Sequence, residues 1–170
     1  CTQTLVSAMD GEPSETKDVL LEIIAEVGGP TALETLGDAA MSSDPRMQDT
    51  SSRLLGKWNG VEAAPVLLDL AKSAPAEKYQ IRALRGYIGL ARKFAMPNPE
   101  RAKMCQSALS AASRIDEKKL VLDVMKLHPS HATLKLAKQA KQDPDLTDAA
   151  TATAEEITKK LRAKGIVVKD

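Results

Sequence analysis

Short helix-length segments separated by proline and glycine constrain this chain more than any other feature. Within most segments apolar residues recur at i, i+3, i+4 and i+7, the spacing that places them on one face of an α-helix. Leu20, Ile23, Ile24 and Val27 show this spacing, and Gly28 follows where the helix is expected to end. The links are only about 2–5 residues long, so consecutive helices are predicted to be antiparallel neighbours.

Several segments start with a residue that can satisfy the free N–H groups of a first helical turn. Asp44 precedes Pro45, the pattern of a capping aspartate followed by proline at the first helical position. Ser14 and Ser130 are predicted to cap helices in the same way. Helix pairs recur at roughly 30–37 residues, the range of helical solenoid repeats. A single up-down bundle is the competing architecture.

The apolar residues are mostly small or aliphatic, since aromatic residues make up only 2% of the chain. Alanine and leucine are strong helix formers, and small side chains let helices approach closely. Gly86 and Gly89 lie inside a helical segment, where each costs about 1 kcal/mol relative to alanine. Close contact with a neighbouring backbone would account for both glycines, and a kink is the alternative. Leu55 and Leu67 are predicted to share one core between helices.

The stretches Asp44–Gly56 and Asn59–Leu68 together resemble a HEAT repeat: a D-P start, leucines, a glycine turn and a second helix beginning A-A-P-V-L-L. Asp49 and the two residues after it replace small apolar residues, so the repeat is degenerate. Three more stretches look like the HEAT-like arrays of large bacterial multidomain proteins: Gly28–Leu33, Ala83–Ile88 and Glu117–Leu122. The resemblance, to the HEAT-repeat and armadillo-type family, covers nearly the whole chain.

This resemblance implies an all-α fold, a right-handed α-α superhelix (a HEAT/armadillo-like solenoid) of about four to five antiparallel helix pairs. We expect one repeat domain over residues 1–165, in which residues 1–9 end a truncated preceding helix, and a tail over residues 166–170. The implied function is a non-catalytic protein-interaction, scaffold or spacer module within a larger protein. The alternatives are a nucleic-acid-binding repeat array and an accessory domain that orients a neighbouring catalytic domain, for example a sugar-acting one.

Catalytic and metal-binding motifs are missing from the sequence. His128 and His131 are the only histidines, Pro129 separates them, and no third cysteine or histidine ligand lies nearby. There is no nucleophile elbow and no glycine-rich phosphate loop. We therefore expect neither enzymatic activity nor a metal or cofactor.

Charge is segregated along the chain although the net charge is only +1. Residues 1–74 hold 5 basic and 12 acidic residues, a balance of −7, whereas residues 75–170 hold 19 basic and 11 acidic residues, a balance of +8. This segregation has two interpretations. It is either ordinary solvation of helix faces, or long basic side chains of the second part project from the helices and form a strip for a protein or peptide partner of acidic character. The predicted strip consists of Arg82, Arg85, Arg92, Lys93, Lys118 and Lys119.

Nucleic acid is the weaker partner prediction because few aromatic side chains are available to stack on bases. No apolar run is long enough to span a membrane, and no signal peptide starts the given sequence. Cys1 is either a fragment boundary or a processed N-terminus. The sequence leaves the compartment and the oligomeric state open.

Overall fold

The computed structural model describes residues 2–168, which form ten α-helices and one short 3-10 helix at Val61–Ala63. In chain order the α-helices are α1 Thr2–Ala8, α2 Ser14–Val27, α3 Pro30–Met41, α4 Pro45–Gly56, α5 Ala64–Ser73, α6 Glu77–Lys93, α7 Asn98–Ala111, α8 Ile115–Leu127, α9 His131–Ala140 and α10 Thr147–Ala163. No strand occurs among these residues, and the predicted all-α class is confirmed. The predictions for Cys1 and for tail residues 169–170 lie outside the described residues.

The helices form two compact units, one over the described part of Cys1–Tyr87 and one over the described part of Ile88–Asp170. Helices α1–α5 belong to the first unit and α7–α10 to the second. Helix α6 contributes residues 77–87 to the first and residues 88–93 to the second. The single domain over residues 1–165 stays a prediction.

Alternate helices stack on each other within each unit. In the first unit α2 packs against α4 while α3 packs against α1 and α5, and α3 also packs against α4. In the second unit α8 packs against α10, α7 packs against α9, and α9 packs against α10. Each unit therefore has two helix layers in which every other helix shares a layer. This arrangement confirms the predicted helical repeat fold.

Two of the predicted helix caps are confirmed and one is wrong. Asp44 accepts a hydrogen bond at 2.8 Å from the backbone N–H of Arg46, and Ser130 accepts one at 3.1 Å from that of Thr133. Ser14 does not cap α2, because its hydroxyl instead donates a hydrogen bond to the Asp44 carboxylate at 2.5 Å. This bond and the one from the Arg46 N–H hold the pKa of Asp44 below its usual value.

The predicted core positions are only partly correct. Leu55 and Leu67 are buried as expected. On α2, however, Ile24 is buried whereas Ile23 and Val27 are 43% and 48% exposed. The apolar stripe of α2 is wider than the surface that α3 and α4 cover, so its outer edge remains accessible.

Gly86 confirms the predicted close approach of two backbones. A Cβ atom added there would lie 3.1 Å from the Cα of Gly56 on α4 and 3.3 Å from the Leu67 side chain. At Gly89 the explanation is wrong, because a Cβ atom would meet nothing within 4 Å. Gly86 therefore fixes how closely α6 can approach α4, whereas Gly89 does not limit packing.

Substituting these two glycines should change stability in opposite directions. Gly86→Ala should lower the free energy of unfolding by about 1–3 kcal/mol, since its methyl group overpacks the contact with Gly56. Gly89→Ala, the matched control on the same helix, should raise the free energy of unfolding by up to about 1 kcal/mol through helix propensity. Urea unfolding followed by circular dichroism measures both changes. Equal stabilisation by the two variants would contradict the close approach.

Candidate functional site

A groove between α4 and α6 concentrates positive charge in the first unit. Its volume is about 450 Å³. The lining residues are Arg53, Gly56, Lys57, Lys78, Ile81, Arg82, Arg85 and Gly86. Five of these eight residues are cationic and none is acidic, so the groove presents a basic wall from each helix.

Helical spacing explains why the cations meet in this groove. Arg53 lies on α4 and Lys57 lies one turn later, just beyond the last residue of α4. On α6, Lys78, Arg82 and Arg85 lie at i, i+4 and i+7. The sequence analysis found only the two arginines of α6. The same spacing rule applied to both helices of consecutive repeats would have found the other three cations.

Arg82 is anchored in the first unit and does not project freely from it, contrary to the prediction. Its Nη1 lies 2.7 Å from the hydroxyl of Ser52, 2.9 Å from the backbone carbonyl oxygen of Asp49 and 3.1 Å from the Asp49 carboxylate. The side chain is half-buried, and Ser52 is buried. Arg82 therefore joins α6 to α4 and contributes to stability as well as to the charge of the groove.

The remaining residues of the predicted strip belong to the second unit and do not line this groove. Arg92 and Lys93 are exposed at the end of α6, and Lys119 is exposed on α8. Lys118 is half-buried and pairs with Asp143 at 2.5 Å, which holds the pKa of the Asp143 carboxyl below its usual value. Of the predicted strip, the structure brings Arg82 and Arg85 together in the groove.

A second groove of the first unit lies between α3 and α5 and carries the opposite charge. Its volume is about 530 Å³. The acidic lining residues are Glu34, Asp38, Glu62 and Asp69, and the remaining ones are Pro30, Leu33, Gly37, Met41, Pro65, Val66, Leu70 and Ser73. The sequence analysis missed this acidic groove.

The repeat register explains the acidic rim. Pro30 and Pro65 each lie in the first turn of their helix, and an acidic residue, Glu34 or Asp69, follows each proline four positions later. Because α3 and α5 occupy the same layer, equivalent positions of the two repeats come to one groove. Aligning the two prolines would have revealed this pattern in the sequence.

The carboxylates of the two layers of the first unit differ in whether they form ion pairs. Between α2, α4 and α6, ion pairs join one helix to the next: Glu15 to Arg46 at 2.5 Å, Glu22 to Arg53 at 3.0 Å and Asp49 to Arg82 at 3.1 Å. Of the residues that the structure describes, no lysine or arginine lies within 4.0 Å of the carboxylates of Glu34, Asp38 or Asp69. The α3–α5 groove is therefore anionic and not neutralised by the unit itself.

The second unit has a groove of about 480 Å³ between α9 and α10, which Val168 of the tail also lines. Four of its lining residues are cationic, and Glu155 is acidic: the cations are Lys138, Lys141, Lys159 and Arg162. This groove was not predicted. This lining contains both cations and an anion, whereas the charged residues of each groove in the first unit all have one sign.

Metal-ligating side chains and the Cys105 thiol are further chemical groups of this chain, and the described residues contain no metal-binding cluster. No group of three or more histidine, cysteine or acidic side chains among residues 2–168 is placed to hold a metal ion. Cys105 is buried, and its burial raises the pKa of the thiol to about 11, so it is not a thiolate at neutral pH. Within the same residues, no helix is both long enough and apolar enough to cross a membrane.

Comparison with known proteins identifies the repeat. Residues 2–87, half of the chain, match the family model described as HEAT repeats. No curated protein and no solved structure matches the chain.

Truncating Arg82 or Lys57 removes one positive charge from the α4–α6 groove in each case, but only the loss of Arg82 should lower the free energy of unfolding appreciably. Arg82→Ala should lower the free energy of unfolding by about 1–2 kcal/mol, because the hydrogen bonds to Asp49 and Ser52 are lost. Lys57→Ala removes the same charge from the same groove at an exposed position and should change it by less than about 0.5 kcal/mol. Urea unfolding measures both. Equal effects would contradict the anchoring role of Arg82.

Proposed function

Because this chain belongs to the HEAT-repeat family, we propose that it is a non-catalytic protein-interaction module that binds an acidic segment of a partner in the groove between α4 and α6. HEAT repeats generally serve as protein-interaction or scaffold modules, and the family is typically non-catalytic. One observation carries the proposal: cations from two consecutive repeats line one groove without a carboxylate among the lining residues.

The lining cations have different parts in this proposal. Arg53 is held in place by an ion pair with Glu22 on α2, and Arg82 by one with Asp49 on α4. These two arginines therefore set the shape and the electrostatic potential of the groove. Lys57 and Arg85 are exposed on opposite walls of the groove, where a partner can reach their charged groups. Arg85 can also bind a carboxylate through two parallel N–H groups.

An acidic peptide suits this groove better than single-stranded nucleic acid. Sequence-tolerant binding of single strands depends on aromatic rings that stack on the bases. The groove lining contains no aromatic residue, and the nearby rings of Tyr79 and Tyr87 are 2% and 5% exposed. Both rings are therefore occupied by packing and do not form a stacking platform.

The test is the binding of a labelled, glutamate-rich peptide of about 12 residues, followed by fluorescence anisotropy at low salt. Lys57→Glu/Arg85→Glu should weaken binding about tenfold or more, because two attractive contacts become repulsive. The matched control is Lys17→Glu/Lys72→Glu, which makes the same charge change in the first unit at positions outside the groove. The control should lose less than about threefold, since long-range charge is screened beyond about 8–10 Å.

Two results would overturn the proposal. Equal losses in the groove variant and the control would mean that the peptide senses only net charge. Tighter binding of a single-stranded oligonucleotide than of a peptide with equal charge would instead favour the nucleic-acid alternative. Unfolding midpoints of both variants, measured in the same buffers, exclude a loss of binding caused by unfolding.

A further inference from the structure

The groove between α3 and α5 has an apolar floor and an acidic rim. Binding of an acidic peptide in the α4–α6 groove does not explain this second groove. We infer that the α3–α5 groove binds a basic amphipathic segment of a partner protein, in which lysine or arginine flanks apolar side chains. The inference does not depend on the proposed function, because the groove lies in the other helix layer and carries the opposite charge.

The floor of the groove can accept apolar side chains. Leu33 and Leu70 form its buried base, whereas Met41 is 44% exposed at one end. Gly37 lets α3 lie close to Val66 of α5, since a Cβ atom at this position would approach Val66 Cγ1 to 3.2 Å. Exposed apolar surface of this kind, surrounded by polar residues, is typical of a site of protein contact.

The rim supplies charge on both sides of this floor. Glu34 and Asp38 are one turn apart on α3, and Asp69 lies on α5. Like charges at i and i+4 weaken a helix slightly, so α3 carries this pair at a cost. Cations from a bound segment would relieve the repulsion, which no described lysine or arginine of the chain does.

One end of the groove carries a fixed anion. The Nε1 of Trp58 donates a hydrogen bond at 2.9 Å to the carboxylate of Glu62, which lies just before α5. This bond lowers the pKa of Glu62 and keeps its carboxylate ionised and oriented. A basic residue of the bound segment therefore meets an ordered acceptor there.

Charge complementarity specifies the partner. In the neighbouring layer, Glu22 pairs with Arg53 and Asp49 pairs with Arg82, whereas no described arginine pairs with the carboxylates of the α3–α5 groove. A bound partner would supply the cations that this groove lacks among the described residues. Helix α3 has 12 residues, so its length of about 18 Å matches a short segment of about three helical turns. An amphipathic helix presents apolar and basic faces over this length.

A synthetic peptide of about 14 residues with leucines on one helical face and lysines beside them is the probe. Anisotropy should detect binding to the wild-type chain at low salt. Glu34→Gln/Asp38→Asn should weaken this binding about tenfold, because both attractive charges are lost while the side-chain shapes are kept. The matched control is Glu12→Gln/Glu26→Gln, which removes two exposed carboxylates of the first unit outside the groove, and it should retain affinity within about twofold.

The apolar floor is tested separately. Met41→Gln should weaken binding of the leucine–lysine peptide about threefold, because less apolar surface is buried. Val27→Gln is the control, since Val27 is exposed to a similar degree but lies outside the groove. An oligolysine of the same length should bind more weakly than the leucine–lysine peptide, and a leucine–glutamate peptide should not occupy this groove.

Three outcomes would overturn the inference: no binding of the leucine–lysine peptide at low salt, equal losses in the Glu34→Gln/Asp38→Asn and Glu12→Gln/Glu26→Gln variants, or equal affinity for oligolysine. A salt-sensitive dimer that Glu34→Gln/Asp38→Asn abolishes in sedimentation would identify a second copy as the occupant instead. Failure of the proposed function is distinguishable, because Lys57→Glu/Arg85→Glu should leave binding of the leucine–lysine peptide intact.

Discussion

The contact between the backbones of Gly56 and Gly86 sets the spacing between α4 and α6, and the basic groove depends on it. A side chain at Gly86 would meet the Cα of Gly56 at 3.1 Å, so the two helices can approach this closely only without one. At this spacing Arg82 reaches Asp49 and Ser52 across the gap. The same approach brings cations of both helices to the two walls of a narrow groove.

Charged side chains form ion pairs between helices in one layer of the first unit and line a groove in the other. In the layer of α2, α4 and α6, arginines of α4 pair with carboxylates of α2, and Arg82 of α6 pairs with a carboxylate of α4. Further cations of this layer lie on the surface of the groove. In the layer of α3 and α5, the carboxylates around the groove meet no arginine or lysine of the described chain. The two layers therefore differ in how their carboxylates are paired.

The spacing of residues within single helices predicted much of the fold, but it did not predict the contacts between helices of different repeats. The cap at Asp44 and the burial of Leu55 follow from neighbouring residues and were predicted correctly. The ion pair of Arg82 joins it to Asp49, 33 positions earlier in the chain, so a spacing rule within one helix did not reveal this contact. The acidic groove was missed for the same reason, since only the repeat register brings Glu34 and Asp69 together.

The central claim is that successive repeats of the first unit form two separate grooves of opposite charge. The most direct test is a pair of titrations of the isotopically labelled chain, followed by amide chemical shifts. A glutamate-rich peptide should shift amides of α4 and of residues 77–87 of α6, whereas a leucine–lysine peptide should shift amides of α3 and α5. Shifts of the same residues by both peptides, or shifts confined to residues outside these helices, would contradict this claim.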